Sequence, residues 1–155
     1  PEDKILTKTM INNYAKNHLL PAPEKKKYSK EHMLLLIYIY YYKGILSIGD
    51  IQSLLEPLTD RYFHTKEALN MQAIYEEVFS LEKSQVEKMK ADVIESYRIA
   101  SETFADAPEE EQQFLHIFSF ICLLSFDVYV KKQVIEKLID VLPKREAGKK
   151  HKEYT

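Results

Sequence analysis

The stretch Thr-Lys-Thr-Met-Ile-Asn-Asn-Tyr-Ala-Lys-Asn-His-Leu-Leu-Pro, residues 7–21, opens the part of the chain that decides its fold. A Lys-rich loop at residues 24–29 follows it, and two apolar segments then continue to Leu55. Glycine is scarce, the hairpin dipeptides Asn-Gly and Asp-Gly are absent, and apolar residues recur at the spacing of a helix. The sequence therefore predicts an all-α fold.

Capping residues predict where the first two helices begin. Thr7 or Thr9 can accept a hydrogen bond from the backbone N–H groups of a first helix that continues to about Asn17. Ser29 can cap a second helix in the same way, and Gly44 favours its end.

Two further capping patterns predict the later helices. Ser47 and Asp50 form a Ser-x-x-acid capping box, which opens a short third helix that is expected to stop near Pro57. A long helical region is expected from Thr65 onward. Its apolar stripes change phase near a second capping box, so a break is predicted at residues 82–85.

The elements group into three predicted regions. Residues 1–60 form a head, residues 61–142 form a helical dimerisation or effector module, and residues 143–155 form a basic flexible tail. The last helix or helix pair of the module covers about residues 109–142, since a proline lies just before it and another just after it.

Charge is distributed unevenly along the chain, although the net charge is only −2. Residues 4–43 carry eight lysines against Glu24 and Glu31, which gives +6, whereas residues 44–112 carry six basic and fifteen acidic residues, which gives −9. A basic head on an acidic body is typical of a protein that binds a polyanion. The same lysines would also serve simply to solvate a surface.

The sequence contains no pattern that predicts catalysis, a metal site or a cofactor. The single Cys122 excludes a disulfide within one chain and a Cys-based zinc site. The five histidines lack metal-binding spacing, and the chain has neither a Gly-rich phosphate loop nor a nucleophile elbow. A small-molecule sensor or an enzyme is therefore only a third hypothesis.

The apolar run at residues 114–130 raises the question of a membrane span. It is 17 residues long and contains His116, Ser119 and Asp127, so we interpret it as a helix buried in a bundle. No signal-peptide pattern opens the chain. The expectation is a cytoplasmic protein that does not enter a membrane.

The order of elements in the head resembles a known DNA-binding fold. Residues 11–21 resemble the second helix and exit turn of MerR-type winged helix-turn-helix regulators. Lys26-Lys27-Tyr28-Ser29 resembles the wing of that family, and residues 45–55 resemble its next helix. More narrowly, the chain is similar to a bacterial family, mostly from Gram-positive species, that is catalogued as a domain of unknown function.

The chain also departs from the MerR pattern. Asn12 and Asn13 stand where the family has Arg-Tyr, Lys16 replaces its second Arg, and His18 replaces its Gly. The helix that precedes the recognition helix in that family is not visible, because only residues 1–6 come before it.

The resemblance implies a transcriptional regulator that binds double-stranded DNA. The helix of residues 9–17 would enter the major groove, where asparagine can pair with adenine, while lysines of the wing would contact phosphates. The alternative for the asparagines is a solvated helix face, and for the tyrosines it is packing. The predicted DNA-binding residues are Thr9, Asn12, Asn13, Tyr14, Lys16, Lys25, Lys26, Lys27 and Tyr28.

The module after the head is expected to form a homodimer. Regulators of the MerR type dimerise through a long helix after the head, and the apolar stripes between Met71 and Phe104 fit that role. The same stripes would also fit packing against the apolar helix within one chain. The rival to a regulator is a helical protein–protein interaction or scaffold module that does not bind DNA, and the sequence identifies no effector.

Overall fold

The computed structural model describes residues 6–143, which form five α-helices. Within these residues there is no β-strand, and Glu24 and Lys27 form one isolated antiparallel bridge. The all-α prediction is therefore confirmed. The helices are α1 (Lys8–Lys16), α2 (Lys30–Tyr42), α3 (Ile48–Tyr62), α4 (Met71–Ser101) and α5 (Glu109–Asp140).

The chain divides into two compact units. One unit, which we call the head, contains residues up to Ala73 together with residues from Glu136 onward. The other, which we call the hairpin, contains Ile74–Ile135. The sequence predicted that the head ends at residue 60. The structure instead divides the chain after residue 73 and groups the end of α5 with the head. Apart from Pro143, the predicted tail of residues 143–155 lies outside the described residues, as do residues 1–5.

Helix α1 begins and ends as its sequence predicts. The hydroxyl of Thr7 accepts a hydrogen bond from the backbone N–H of Met10 at 3.2 Å. At the other end, His18 has a φ of 59° and its N–H donates to the carbonyl of Ala15. The N–H of Leu19 donates to the carbonyl of Tyr14 at 2.9 Å. These two bonds form a Schellman motif, and His18 occupies the left-handed position that usually holds Gly.

Helix α2 is capped by an unusual box that contains a histidine. The N–H of Ser29 donates to Nδ1 of His32 at 3.0 Å, and the hydroxyl of Ser29 accepts from the N–H of His32. Because Nδ1 accepts, the proton is on Nε2, which donates to the carbonyl of Pro21 at 3.0 Å. His32 is only 1% exposed. It therefore fixes the chain leaving α1 to the start of α2.

The core of the head lies where α2 packs against α3. Ser47 accepts from the N–H of Asp50 at 3.1 Å and caps α3, as predicted. Apolar side chains from both helices and from the turn after α1 are fully buried, so each helix has a covered face. These side chains include Leu20, Leu35, Ile39, Ile51 and Leu55.

The prediction that α3 stops near Pro57 is wrong, because the helix continues to Tyr62. Proline removes one backbone hydrogen bond from the helix, but the buried Leu55 keeps this turn packed. The hydroxyl of Thr59 also donates to the carbonyls of Leu55 and Glu56, at 2.8 and 3.0 Å. Packing thus outweighs a local helix-breaking signal.

The predicted start and break of α4 are also wrong. The helix begins at Met71 rather than at Thr65. Just before its first residue, Oδ1 of Asn70 accepts a hydrogen bond from the backbone N–H of Ala73 at 3.0 Å. It then continues without interruption through residues 82–85. The hydroxyl of Ser84 donates to the carbonyl of Leu81 at 2.8 Å, so it bonds within the helix and does not cap a new one.

Helices α4 and α5 form an antiparallel pair within the hairpin. The ring centroids of Tyr97 and Phe120 lie 5.5 Å apart. Farther from the turn, Val93 and Leu124 line the same groove. Residue numbers therefore fall along one helix as they rise along the other. Among the described residues of the hairpin, only Ala100 is buried.

The expectation that residues 114–130 are buried in a bundle is wrong for a single chain. Phe114 is 68% exposed and Ile121 is 55% exposed, because α4 covers only one side of α5. By length and composition α5 is able to cross a membrane, with a mean hydropathy of 1.6 over 18 residues. It is the only such helix among residues 6–143.

Candidate nucleic-acid interface

Helix α1 presents one continuous polar face to solvent. Because a helix turns about 100° per residue, the five exposed residues of α1 all lie within an arc of about 140° around the helix axis. Met10, Ile11 and Tyr14 lie outside this arc and are half-buried. The polar face, which we call the α1 face, consists of Lys8, Thr9, Asn12, Asn13 and Lys16, all exposed.

The three consecutive lysines lie on a tight turn. The N–H of Lys27 donates to the carbonyl of Glu24 at 2.8 Å, which closes the turn. Its two central residues, Lys25 and Lys26, have φ values of 46° and 63°. Two positive φ values are characteristic of a type I′ hairpin turn, which usually contains Asn and Gly. We call residues 24–27 the lysine turn. Its three lysine side chains are all exposed.

A cleft brings the α1 face and the lysine turn together. Its volume is about 610 Å³. The hydroxyl of Tyr28 donates to Oδ1 of Asn12 at 3.5 Å across it. Three of the predicted residues therefore line one concave surface. The residues that line the cleft are Lys8, Ile11, Asn12, Pro23, Lys26 and Tyr28.

Buried His32 holds this surface in place from behind. The ring of Tyr28 packs edge-on against His32, with centroids 5.3 Å apart. The ring of His32 also packs edge-on against Phe63, with centroids 4.9 Å apart. Since His32 also bonds Pro21 and Ser29, one side chain fixes both ends of the segment that contains the lysine turn.

The two carboxylates of the basic segment lie close to the same histidine. Glu31 accepts a hydrogen bond from the backbone N–H of His64 at 2.6 Å, and its carboxylate lies 3.7 Å from Nδ1 of that ring. Glu24 lies 3.8 Å from Nε2 of His64. Glu31 is thereby engaged with the end of α3 rather than with the lysine turn. The α1 face itself contains no acidic residue.

The remaining predicted residues occupy two positions. Thr9, Asn13 and Lys16 lie on the α1 face outside the lining of the cleft, and Lys25 and Lys27 flank Lys26 on the lysine turn. Tyr14 is half-buried and lies outside the exposed arc of α1. The structure therefore does not bring Tyr14 together with the others.

Sequence reasoning missed Lys8. It lines the cleft beside Asn12 and comes four residues before it, as Lys16 comes four residues after. Spacing of four residues places side chains on the same side of a helix, so this signal was present in the sequence.

No group of three or more His, Cys, Asp or Glu side chains within residues 6–143 is arranged to hold a metal ion. The side chains of the α1 face and the lysine turn present amide, hydroxyl and ammonium groups. Such groups donate hydrogen bonds to phosphate oxygens and to base edges.

Comparison with known families matches residues 1–79 to a domain of unknown function, DUF1836. The chain belongs to the DUF1836 family. The match covers all of the α1 face, the lysine turn and the α2–α3 core, and it ends inside α4. No curated protein and no solved structure matches the chain.

Proposed function

We propose that this DUF1836 chain is a cytoplasmic transcriptional regulator that binds double-stranded DNA as a homodimer through a MerR-like head. The α1 face would enter the major groove and the lysine turn would contact backbone phosphates. The observation that carries the proposal is the cleft, which Asn12 and Lys26 both line on an exposed, locally basic surface. Two copies related by a two-fold axis would require a pseudo-palindromic site.

The local backbone supports the MerR-like part of the proposal. His18 replaces the glycine of the MerR pattern, and it adopts the left-handed conformation that glycine favours. The Lys-rich segment that resembles a wing forms a tight hairpin turn rather than an open loop.

The two asparagines and the lysines are assigned different contacts with DNA. Asn12 already accepts from Tyr28, but a donor–acceptor distance of 3.5 Å marks a weak bond that a base could replace. Asn13 lies farther round the α1 face, away from the cleft. We therefore assign base contacts to the asparagines and phosphate contacts to Lys8, Lys16 and the lysine turn, because only the amide can pair bidentately with adenine.

The test is fluorescence anisotropy of the full chain with a duplex of about 30 base pairs, long enough for two half-sites. Titrations at about 50 and 200 mM salt should show affinity that falls steeply with salt. Replacing Lys25, Lys26 and Lys27 by Gln should flatten the salt dependence by a slope of about 0.9 for each phosphate that the variant no longer neutralises.

The matched control replaces Lys83, Lys88 and Lys90 of α4 by Gln, which removes the same charge from the hairpin. This control should bind DNA as the wild type does. An equal loss of affinity in both triple variants would show a general charge effect and contradict a binding surface at the lysine turn.

The rival function is a protein–protein interaction or scaffold module, and the exposed apolar side of α5 favours it. No DNA binding at the lower salt concentration would support this rival.

Selection from a random-sequence duplex pool separates recognition of a DNA sequence from general affinity for DNA. Replacing Asn12 and Asn13 by Ala should abolish enrichment of a preferred site while weak general binding remains.

A further inference from the structure

One side of α5 has an apolar seam that no described residue of the hairpin covers. The ring of Phe120 faces Tyr97 of α4. Ser119 and His116 bond Thr103 in the turn that follows α4, where His116 Nε2 donates to the carbonyl of Thr103 at 2.8 Å. Residues spaced alternately by four and three lie away from that contact, and all are exposed. This α5 seam consists of Phe114, Phe118, Ile121, Ser125 and Val128.

We propose that the α5 seam packs against the α5 seam of a second copy of this chain, with the two helices antiparallel and Ile121 near the two-fold axis. Alternating spacings of three and four residues are those of helices that pack side by side. Ile121 lies seven residues from Phe114 and seven from Val128. An antiparallel pair centred on it therefore places each phenylalanine opposite the valine of the other chain.

The charges at the two ends of α5 favour this direction. The first turn contains Glu109, Glu110 and Glu111, and Lys131 and Lys132 lie beyond the seam. In the antiparallel arrangement Glu110 of each copy lies opposite Lys132 of the other, because both residues lie eleven positions from Ile121 and on the same side of the helix. A parallel pair would instead place carboxylates beside carboxylates.

The size of the seam also fits a protein partner. Its two aromatic and two aliphatic side chains are 52–68% exposed. Aromatic side chains each bury ~150–250 Å² when fully covered. The seam thus supplies apolar area on the order of several hundred Å² per chain, and a standard interface uses ~800 Å² per partner.

A lipid bilayer is a poorer occupant than a second copy. Residues 112–126 contain no Asp, Glu, Lys or Arg, but Glu111 and Asp127 bound this stretch. At about 1.5 Å per residue it spans roughly 22 Å, which is less than the ~30 Å of a hydrocarbon core. The paired helix α4 is charged along its length, which opposes insertion of the hairpin.

This second copy would be the two-fold partner of the proposed regulator, but the contact between the copies involves only residues of the hairpin. Sedimentation equilibrium of the full chain without DNA therefore tests it separately from DNA binding. The wild type should have about twice the single-chain mass of 18.3 kDa.

Charge reversal tests the antiparallel direction without touching an apolar contact. Replacing Glu110 and Glu111 by Lys should weaken self-association at least roughly tenfold, because lysines would then face lysines. Adding Lys131→Glu and Lys132→Glu to the same chain should restore it. Lys131 also bonds Asp127 within its own helix. The double variant Lys131→Glu and Lys132→Glu, without the glutamate changes, therefore measures how much the loss of that bond affects self-association.

The matched control reverses two lysines of α4, Lys83→Glu and Lys88→Glu, and should leave association unchanged. If the variant with all four charges reversed did not regain the dimer, the antiparallel arrangement would be wrong. A wild type that stays monomeric at tens of micromolar would overturn the interface. The interface would also be overturned if the wild type floated with phosphatidylcholine vesicles and the Ile121→Glu variant did not, because the seam would then contact lipid.

Discussion

The head and the hairpin use similar apolar helices and bury them to very different extents. In the head, Leu35 and Ile39 are fully buried between helices. In the hairpin, Ile94 and Phe114 are both 68% exposed. In the head, α2 packs against α3 and the turn after α1 also contributes buried side chains, whereas the described residues of the hairpin give α5 no neighbour but α4.

This difference shows that helix formation and core formation are separate requirements. Two helices side by side can cover only one face of each other, so a hairpin of apolar helices leaves its other faces in water. The head can be stabilised by its own core, while the described residues of the hairpin supply mainly helix propensity and surface pairs. Paired substitutions, one in each unit, can therefore measure the difference directly.

The largest effect is expected from Ile39→Ala in the head. Removing a fully buried isoleucine side chain should lower the free energy of unfolding by about 2–5 kcal/mol. Ile94→Ala, the matched change on α4, should stay within about 0.5 kcal/mol, because its side chain already lies in solvent. Urea denaturation monitored by circular dichroism measures both. Equal losses of stability would show that the hairpin has a core comparable to that of the head.

The second largest effect is expected from His32→Ala. The variant loses a capping box and leaves the carbonyl of Pro21 without its donor, so we expect a loss of about 2–4 kcal/mol. His32→Gln should recover part of it, since Gln at this position completes a standard capping box. His116→Ala in the hairpin should cost about 1 kcal/mol, because that ring is half-exposed. Thermal unfolding compares the three, and a greater loss for His116→Ala would reverse the ranking of the units.

Local signals in the sequence predicted the helix caps and failed where packing intervened. The caps at Thr7, Ser29 and Ser47 involve atoms three residues apart, so the sequence alone contains them. Pro57 and Ser84 also produce local signals, but the buried face of α3 and the continuity of α4 outweigh them.

The candidate site was predictable in part for the same reason. Helical periodicity identified Asn12, Asn13 and Lys16 as exposed, and it would also have identified Lys8. The positive φ values of the lysine turn had no sequence signal, because Lys is an unusual residue for that conformation. The bond from His32 to Pro21 joins residues eleven apart, so only the fold reveals it.

A smaller, stabilising effect is expected from His18→Gly. Residues other than Gly are strained in the left-handed region, and relief of that strain exceeds the added flexibility of Gly in the unfolded chain. The variant should gain up to about 1 kcal/mol in the free energy of unfolding. Asn17→Gly is the matched control, because Asn17 has a φ of −91° and should gain nothing. If both variants gained equally, the Schellman motif would not be the cause.

The smallest effect is expected at the exposed ion pairs of α4. Arg98 donates two hydrogen bonds to Glu95, at 2.8 and 2.9 Å, and these bonds lower the pKa of the Glu95 carboxyl. A carboxyl whose pKa is lowered by folding stabilises the protein above its unfolded pKa, and that contribution disappears as pH falls through the folded pKa. Arg98→Gln should raise the pKa of Glu95 toward its ordinary value in a carbon-detected NMR titration.

The same variant should hardly change the melting temperature at neutral pH, because all three side chains of the cluster are more than half exposed and solvent screens exposed pairs. If such pairs contribute little, the hairpin should be stabilised mainly by the proposed contact of the α5 seam with a second copy. Melting of both the wild type and Arg98→Gln should then depend on protein concentration. A large drop in melting temperature would show instead that surface pairs hold the hairpin together and that it needs no partner.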